Sequence, residues 1–359
     1  MKKVIISVTN DLTTDQRVHK VANSLVSAGF SVILVGAVTV LSSQLDQRKY
    51  QFHRFDMFFK KNFLFYLEYN VRLFFFLLQK KSDILLSNDL DTLCANYFIS
   101  RLKKLKLVYD SHELFTELPE LLGRNFVKNI WLCMEHFFLN RIEFSYTVSK
   151  SIADYYKAKY GINMLVISNF PNLINTKNII SKSSDKKKII YQGAVNKDRG
   201  IELMINSMQY VDATLYIVGG GDMFQDMNDY VNKLKLNNKV VFLGKIPFND
   251  LFKITMQADL GLSFECDTCL AYRYSLPNKI FDYINAEIPI LVSDLPEFRN
   301  IIQSNAVGML LKSRNVEDVS SQINYMLSQP KLNWHDALVN AKKQYCWENQ
   351  EKKLLTFFT

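Results

Sequence analysis

The residues able to do chemistry gather in short loops that follow apolar runs. His112 and Glu113, in "YDSHELFTELPEL" (109–121), stand just past the run "KLVYDS" (106–111). A histidine there can donate a hydrogen bond to a substrate hydroxyl or carbonyl, or take up a proton. An outward-facing loop histidine has no core to satisfy, which sets the functional role ahead of a structural one. Asp89 and Asp91, in "SNDLDTL" (87–93), occupy the same kind of position, and either equally suits capping a helix that starts near Thr92. "SVTNDLTTDQRVHK" (7–20) places Asn10, Asp11, Thr13, Thr14 and Asp15 in one polar loop, with Thr14 or Asp15 as the helix N-cap. No G-x-G-x-x-G follows this first run, which argues against a dinucleotide oxidoreductase.

Later loops carry anion-binding chemistry. In "YQGAVNKDRGIEL" (191–203), Gly193 and Gly200 bracket Lys197 and Arg199 just before a helix, and cations beside a helix N-terminus make an anion site. "IVGGGDM" (217–223) is a glycine turn around Gly219 that permits close backbone approach. "SLPNKIFDYINAEIPIL" (275–291) is the most telling stretch. Pro277 holds Leu276 extended and helps to start a helix, and Asn278 suits its N-cap, with the helix running to about Ala286. Lys279 then lies beside the first helical N–H groups, a phosphate site by geometry and charge. Asp282 is four residues after Asn278, so it faces the same way and can accept hydrogen bonds from sugar hydroxyls. Phosphate beside a diol describes a nucleotide. An ordinary capped helix with an acid in its first turn is the plainer alternative.

Positioning these loops falls to alternating strands and helices. Buried strands are expected at 3–8, 31–36, 83–88, 106–111, 144–149 and 164–169, with helices at about 15–28, 62–80, 91–103 and 126–143. Residues 168–177 and 181–188 read as a linker, with Pro171 and many polar residues. The alternation restarts with strands at 189–194, 214–221, 239–245, 259–264, 288–293 and 308–311, and residues 344–358 read as a terminal helix. Two doubly wound parallel-sheet domains follow, residues 1–172 and 173–344, with the helix at about 345–359 packing back on the first.

The totals bound the function. The 359 residues carry a formal net charge of +9, and the surplus is one-sided. Residues 1–180 hold 23 Lys+Arg against 15 Asp+Glu, whereas residues 181–359 hold 21 against 20. A basic first half points to an anionic partner. The five cysteines include Cys266 and Cys269 at C-x-x-C spacing, without the second pair that a zinc site needs; they read as ordinary reduced thiols. The first apolar run is too short for a signal peptide, so a cytoplasmic location is expected. "NFLFYLEYNVRLFFFLLQKK" (62–81) is the most apolar stretch, but Glu68, Asn70 and Arg72 interrupt it. It reads as a buried helix of an α/β layer rather than one resting on a membrane. The preceding "RFDMFFKKN" (54–62), which mixes aromatics with Lys60 and Lys61, is the better candidate for membrane contact.

In their order, "NDLTTDQRVHK", "SNDLDTL", "YDSHELFTE", "YQGAVNKDRG", "IVGGGD", "VVFLGKIPFNDL" and "SLPNKIFDYINAEIPILVSDLPE" resemble the retaining glycosyltransferases of the GT-B fold, glycosyltransferase family 4, over essentially the whole chain. The resemblance implies two Rossmann-like domains facing a central cleft. It implies transfer of a sugar from a nucleotide diphosphate-sugar to an acceptor hydroxyl with retention, in surface or capsular polysaccharide, lipopolysaccharide or glycolipid synthesis. His112, Arg199, Lys279 and Asp282 take the catalytic places. Asn10, Gly193, Gly219, Gly244, Lys245, Tyr274, Ser275, Leu276, Pro277 and Asn278 join Arg199, Lys279 and Asp282 in holding the donor. The family has two glutamates separated by seven residues; Asp282 stands at the second and Tyr274 at the first. Ala194 stands where the family commonly has an arginine, and Arg199 where it has a lysine, so Lys279 is the expected replacement ligand for the diphosphate and Tyr274 or Glu265 for the sugar.

No cofactor or metal is implied, the donor being a UDP-, GDP- or ADP-sugar whose leaving group the cations neutralise. The basic first domain is implied to bind a saccharide or lipid-linked saccharide at the cytoplasmic face of an anionic membrane. Nucleic acid has no recognition motif here. The competing readings are a nucleotide-sugar epimerase or hydrolase of the same shape and a non-catalytic sugar-binding relative.

Overall fold

The computed structural model of the chain describes residues 1–13, 15–38, 47–174 and 186–358, with the side chains of residues 248 and 249 set aside. The Thr14 cap candidate and most of the 181–188 linker lie outside the described residues. The chain divides into two compact units, unit 1 being Met1–Asn169 with Gln350–Thr359 and unit 2 Phe170–Asn349.

Unit 1 contains β1 (Lys3–Ser7), α1 (Gln16–Ser27), β2 (Ser31–Val38), β3 (Gln51–Asp56), α2 (Asn62–Gln79), β4 (Ile84–Asn88), α3 (Leu90–Lys103), β5 (Lys106–Ser111), α4 (Asn125–Leu139), β6 (Phe144–Thr147), α5 (Lys150–Tyr160) and β7 (Leu165–Val166). The strands form one parallel sheet in the order β3-β2-β1-β4-β5-β6-β7. Helix α1 forms because Asp15 accepts the Val18 N–H as its N-cap and because Val18, Val21, Ala22 and Leu25 repeat at helical spacing and bury together. Ser149 caps α5 in the same way, and Gly161, at φ 71°, closes it in the left-handed region.

Unit 2 contains β8 (Lys188–Gln192), α6 (Ile201–Ser207), β9 (Thr214–Val218), α7 (Phe224–Lys233), β10 (Val240–Gly244), α8 (Phe248–Thr255), β11 (Leu260–Ser263), α9 (Leu270–Arg273), α10 (Asn278–Asn285), β12 (Ile290–Val292), α11 (Pro296–Asn305), β13 (Gly308–Leu310), α12 (Val316–Ser328) and α13 (Leu332–Gln344). Its parallel sheet has the order β10-β9-β8-β11-β12-β13. Helix α14 (Trp347–Leu355) straddles the division. Its later part belongs to unit 1, where Gln350 accepts the Ser168 N–H at 3.1 Å and the Phe358 ring meets Phe30 edge-on.

Both sheets reverse direction once, between β1 and β4 and between β8 and β11. Ligands of open parallel sheets bind outside the carboxyl ends of the strands at such a reversal.

Two elements depart from expectation. The strand β3 lies where a loop was expected, and of residues 54–62 it takes Arg54, Phe55 and Asp56, with Phe55 and Met57 buried. Helix α2 is only half a buried helix. Tyr69, Leu73 and Leu77 face the sheet, whereas Leu64, Leu67, Val71, Phe75 and Leu78 are exposed.

Candidate functional site

In unit 2 the site grows from the ends of β8, β9, β10 and β11. The first strand leads into Gly193, at φ 137°, and the second into Gly219, also at φ 137°. A side chain at Gly219 would overlap the Gly193 carbonyl oxygen, so the two strand ends pinch together. The Gly219 N–H donates to the Gly244 carbonyl at 2.8 Å, which draws the end of β10 into the same row. Lys245 follows, exposed, with its stem against Gly220.

Glu265 lies two residues past β11, at the reversal, and is fully buried. Its carboxylate accepts the Lys279 ammonium at 2.7 Å and the Ser263 hydroxyl at 2.6 Å, with an Arg199 guanidinium nitrogen at 3.8 Å. Burial alone would raise its pKa. Lys279, Ser263 and Arg199 outweigh burial and hold it below the ordinary 4.5. Lys279 therefore does not project freely from the helix. It is 7% exposed, sits over the Tyr191 ring at 4.1 Å and approaches Gly193. Arg199 stacks on Tyr272 at 4.6 Å, and its buried Nε has no hydrogen-bond partner. Two cations thus share one buried carboxylate, one positive charge more than Glu265 itself offsets.

Helix α10 begins at Asn278. Its N-cap is Pro277, with no side-chain capping bond, so Asn278 is the first helical residue rather than the cap. Asp282 is partly buried one turn on, and its Oδ2 accepts the Gln192 side-chain amide at 2.8 Å. Thr255 fixes that amide by donating to its oxygen at 2.9 Å. Tyr274 ends α9 and is partly buried, as are Ser275, Leu276 and Pro277 after it; Ser275 donates back to the Tyr272 carbonyl at 2.8 Å. A cavity of about 500 Å³ lies beside α6, lined by Leu203, Asn206, Met227 and Arg314; neither Lys279 nor Asp282 lines it.

In unit 1 the edge of the sheet carries a second charged cluster. His112 is not the outward-facing residue expected. Its side chain is 16% exposed and held between Asp110, 2.9 Å from Nε2, and Asp89, 3.3 Å from Nδ1. Burial works against its charge, but those two acids lift its pKa to about 9, so it is a cation at neutral pH. Asp110 also pairs with buried Arg17 at 2.8 Å, and its pKa falls to about 2 against the pull of burial. Asp89 precedes α3 but makes no capping bond; its other oxygen accepts the His112 backbone N–H at 2.8 Å. Its φ of 58° with ψ 170° is a strained backbone for a residue other than glycine. Asp91 accepts the Thr9 hydroxyl at 2.5 Å. Burial raises the pKa of both Asp89 and Asp91 to about 7. Asn10, exposed, donates to Asp15 at 3.1 Å.

Two family models together match residues 15–344: "Glycosyltransferase Family 4" over residues 15–177 and "Glycosyl transferases group 1" over residues 174–344. The chain belongs to the family 4-like glycosyltransferases of the GT-B fold.

A relative from Methanocaldococcus jannaschii, described as an uncharacterized glycosyltransferase, is 26% identical over 52% of this chain and 48% of its own length. The chitobiosyldiphosphodolichol β-mannosyltransferase of Candida albicans is 22% identical over 70% of this chain and 59% of its own length. The chain thus spans about half to three-fifths of these two relatives. Among solved structures, a sucrose-phosphate synthase from Thermosynechococcus elongatus superposes with a TM-score of 0.81 at 13% identity, covering 100% of this chain and 98% of its own.

Against the family's pattern, the structure brings Gly193, Arg199, Gly219, Gly244, Lys279 and Asp282 to one end of the unit 2 sheet. His112 and Asn10 stand at the corresponding end of the unit 1 sheet. One contributor escaped sequence reasoning: Gln192 shows only as the last residue of an apolar strand, and nothing local marks it as the partner of Asp282. Glu265, named beside Tyr274 as an alternative contact for the sugar, instead has its carboxylate engaged by Lys279 and Ser263. Cys266 and Cys269 are free thiols.

Proposed function

We propose that this chain transfers a sugar, with retention, from a nucleoside diphosphate-sugar to a hydroxyl of a saccharide or lipid-linked saccharide. The observation that carries this reading is the Lys279–Glu265–Arg199 cluster at the reversal of the unit 2 sheet. A departing nucleoside diphosphate gains negative charge, and preorganised cations stabilise that charge most effectively where water is scarce. Arg199 has a buried donor without a partner, Lys279 is fixed by Glu265, and the positive end of the α10 dipole lies beside them. These groups stand in for a metal in neutralising the diphosphate. Asp282, aimed by Gln192, accepts from the ribose diol.

At unit 1, the His112 cation keeps its Nε2–H on Asp110 and turns its Nδ1–H from Asp89, the longer contact at 3.3 Å, to a sugar hydroxyl or oxyanion. The likeness to a mannosyltransferase named for an acceptor on a dolichol diphosphate supports a lipid-linked acceptor and a place in surface polysaccharide, lipopolysaccharide or glycolipid synthesis.

The test is nucleoside diphosphate release from a panel of UDP-, GDP- and ADP-sugars, with and without lipid-linked saccharides. Release that requires acceptor, with the anomeric configuration retained in the product, is expected. Equal turnover without acceptor would make the protein a hydrolase or epimerase. No release with any pair would make it a binding protein.

A further inference from the structure

Most of the exposed large hydrophobic side chains of the described chain lie in one segment of unit 1, from Phe58 to Phe137. They are not scattered. On α2 the exposed residues Leu64, Leu67, Val71, Phe75 and Leu78 recur at intervals of three and four, so they form one stripe along the helix. The opposite stripe, Tyr69, Leu73 and Leu77, is the part that covers the sheet. A helix apolar on both faces needs a second apolar environment.

The stripe ends in a built wedge. Phe58 is 84% exposed, and Phe59 and Phe63 are also exposed. Their loop is not slack. The Glu68 carboxylate accepts the N–H of Phe58 at 3.1 Å and of Phe59 at 2.9 Å, and is itself held by Arg72 at 2.8 Å. The Arg72 guanidinium also stacks on the Phe58 ring. A carboxylate spent on clamping two exposed phenylalanines presents them outward at little conformational cost.

Helix α4 adds to the same edge. Tyr66 of α2 meets Trp131 of α4 edge-on at 5.4 Å, so the early turns of the two helices are neighbours. Before and at the start of α4, Leu122 and Phe126 are exposed, the latter by 79%. Exposed cations stand among these apolar groups: Lys60 and Lys61 at the start of α2, and Arg124 before α4. Of these, Lys60 has a solvent-exposed pair with Asp56, which is worth little. Both helices start from the carboxyl edge of the sheet, the edge that carries His112.

We propose that the wedge at the starts of α2 and α4, with the outer stripe of α2, docks on an anionic lipid surface. The proposal deepens the reading of a lipid-linked acceptor and rests on it for its purpose, not for its physics. Phenylalanines enter the acyl boundary while lysine and arginine stay at the headgroups, where an anionic surface attracts them. A second copy of this chain fits less well, because Lys60, Lys61 and Arg124 would meet their own kind. No described helix is long and apolar enough to span a bilayer, so the contact is a surface one. Docking by this edge brings a lipid-borne saccharide to the end of the sheet where His112 stands.

The test is flotation of the full chain with vesicles of phosphatidylcholine alone or rich in phosphatidylglycerol. Flotation with the anionic vesicles, weakened by salt and weak with phosphatidylcholine alone, is expected. Phe58→Ser/Phe59→Ser/Phe63→Ser and, separately, Lys60→Glu/Lys61→Glu/Arg124→Glu each lower the bound fraction by roughly tenfold. All six residues are exposed, and an unchanged thermal midpoint confirms folding. Absence of flotation, or flotation that neither variant changes, overturns the proposal. So does a concentration-dependent dimer that the same variants dissolve, which assigns the face to a second copy. Nucleoside diphosphate binding, read separately, is untouched by these variants; its loss in the unaltered chain would count against the catalytic reading alone.

Discussion

His112 is charged because two acids surround it, and that charge links folding to pH. Its pKa is about 9 in the folded chain against an ordinary 6.5, so the stability it contributes is complete below 6.5 and lost as pH rises through 9. Asp89 and Asp91, raised to about 7 from 3.8, act in the same direction lower down. Between those values the folded chain holds protons that the unfolded chain has released, so stability falls as pH rises. Asp110, near 2, matters only below the ordinary carboxylate range. The thermal midpoint is therefore expected to drop by on the order of 5 °C from pH 6.5 to pH 9.5. His112→Gln is expected to flatten that limb, and a flat limb in the unaltered chain would show that the cation is not held as described. Unit 2 poses a different problem at this scale. Removing Glu265 alone would strand the Lys279 ammonium in a buried place, at a cost of roughly 3–5 kcal/mol. Folding and function are thus entangled in this pair, and only a substitution that removes both charges separates them.

Among the elements, the strand ends that carry the site were legible because their signals are local. Short apolar runs followed by glycine, asparagine or acid residues marked β1, β4, β5, β8, β9, β10 and β11, and with them the loops holding His112, Gly193 and Gly219. What failed were elements without such a signal. The β3 sequence QFHRFD lies at the sheet edge with most of its residues exposed, so neither alternation nor an apolar run marks it. Helix α5, KSIADYYKAKY, is polar enough to read as a connection. The outer face of α2 was misread because composition cannot say which side of an all-apolar helix faces the sheet. Asn278 was misplaced by one position, since Pro277 holds an extended backbone at φ −69° and ψ 139° and serves as the cap itself. The pinch between β8 and β9 gives a prediction of its own. In Gly219→Ala the new methyl group meets the Gly193 carbonyl in a backbone conformation that alanine rarely adopts. A loss of at least about 2 kcal/mol is expected in denaturant unfolding. A loss under about 0.5 kcal/mol would mean that the two strand ends are further apart than described.

At the scale of the molecule, each unit is a parallel sheet with one reversal, and the carboxyl end of each sheet holds a buried carboxylate neutralised by cations: Asp110 with Arg17 and His112, Glu265 with Lys279 and Arg199. The two doubly wound parallel sheets were readable from alternation alone; their strand orders were not. The pairing of Glu265 with Lys279 and of Asp110 with Arg17 was not, because those partners are 14 and 93 positions apart. The division of labour proposed here gives unit 2 the nucleoside diphosphate and unit 1 the acceptor, consistent with the basic surplus of the first half. Calorimetric titration of UDP, GDP and ADP tests the donor half most directly. The unaltered chain is expected to bind one of them. Glu265→Leu/Lys279→Met, which strands no buried ammonium and leaves without its acid only the Arg199 guanidinium, itself partly open to solvent, is expected to fold and to bind at least tenfold more weakly, about 1.4 kcal/mol. If no nucleoside diphosphate binds, or if the folded double variant binds as tightly as the parent, the donor site is not where Lys279 and Glu265 stand.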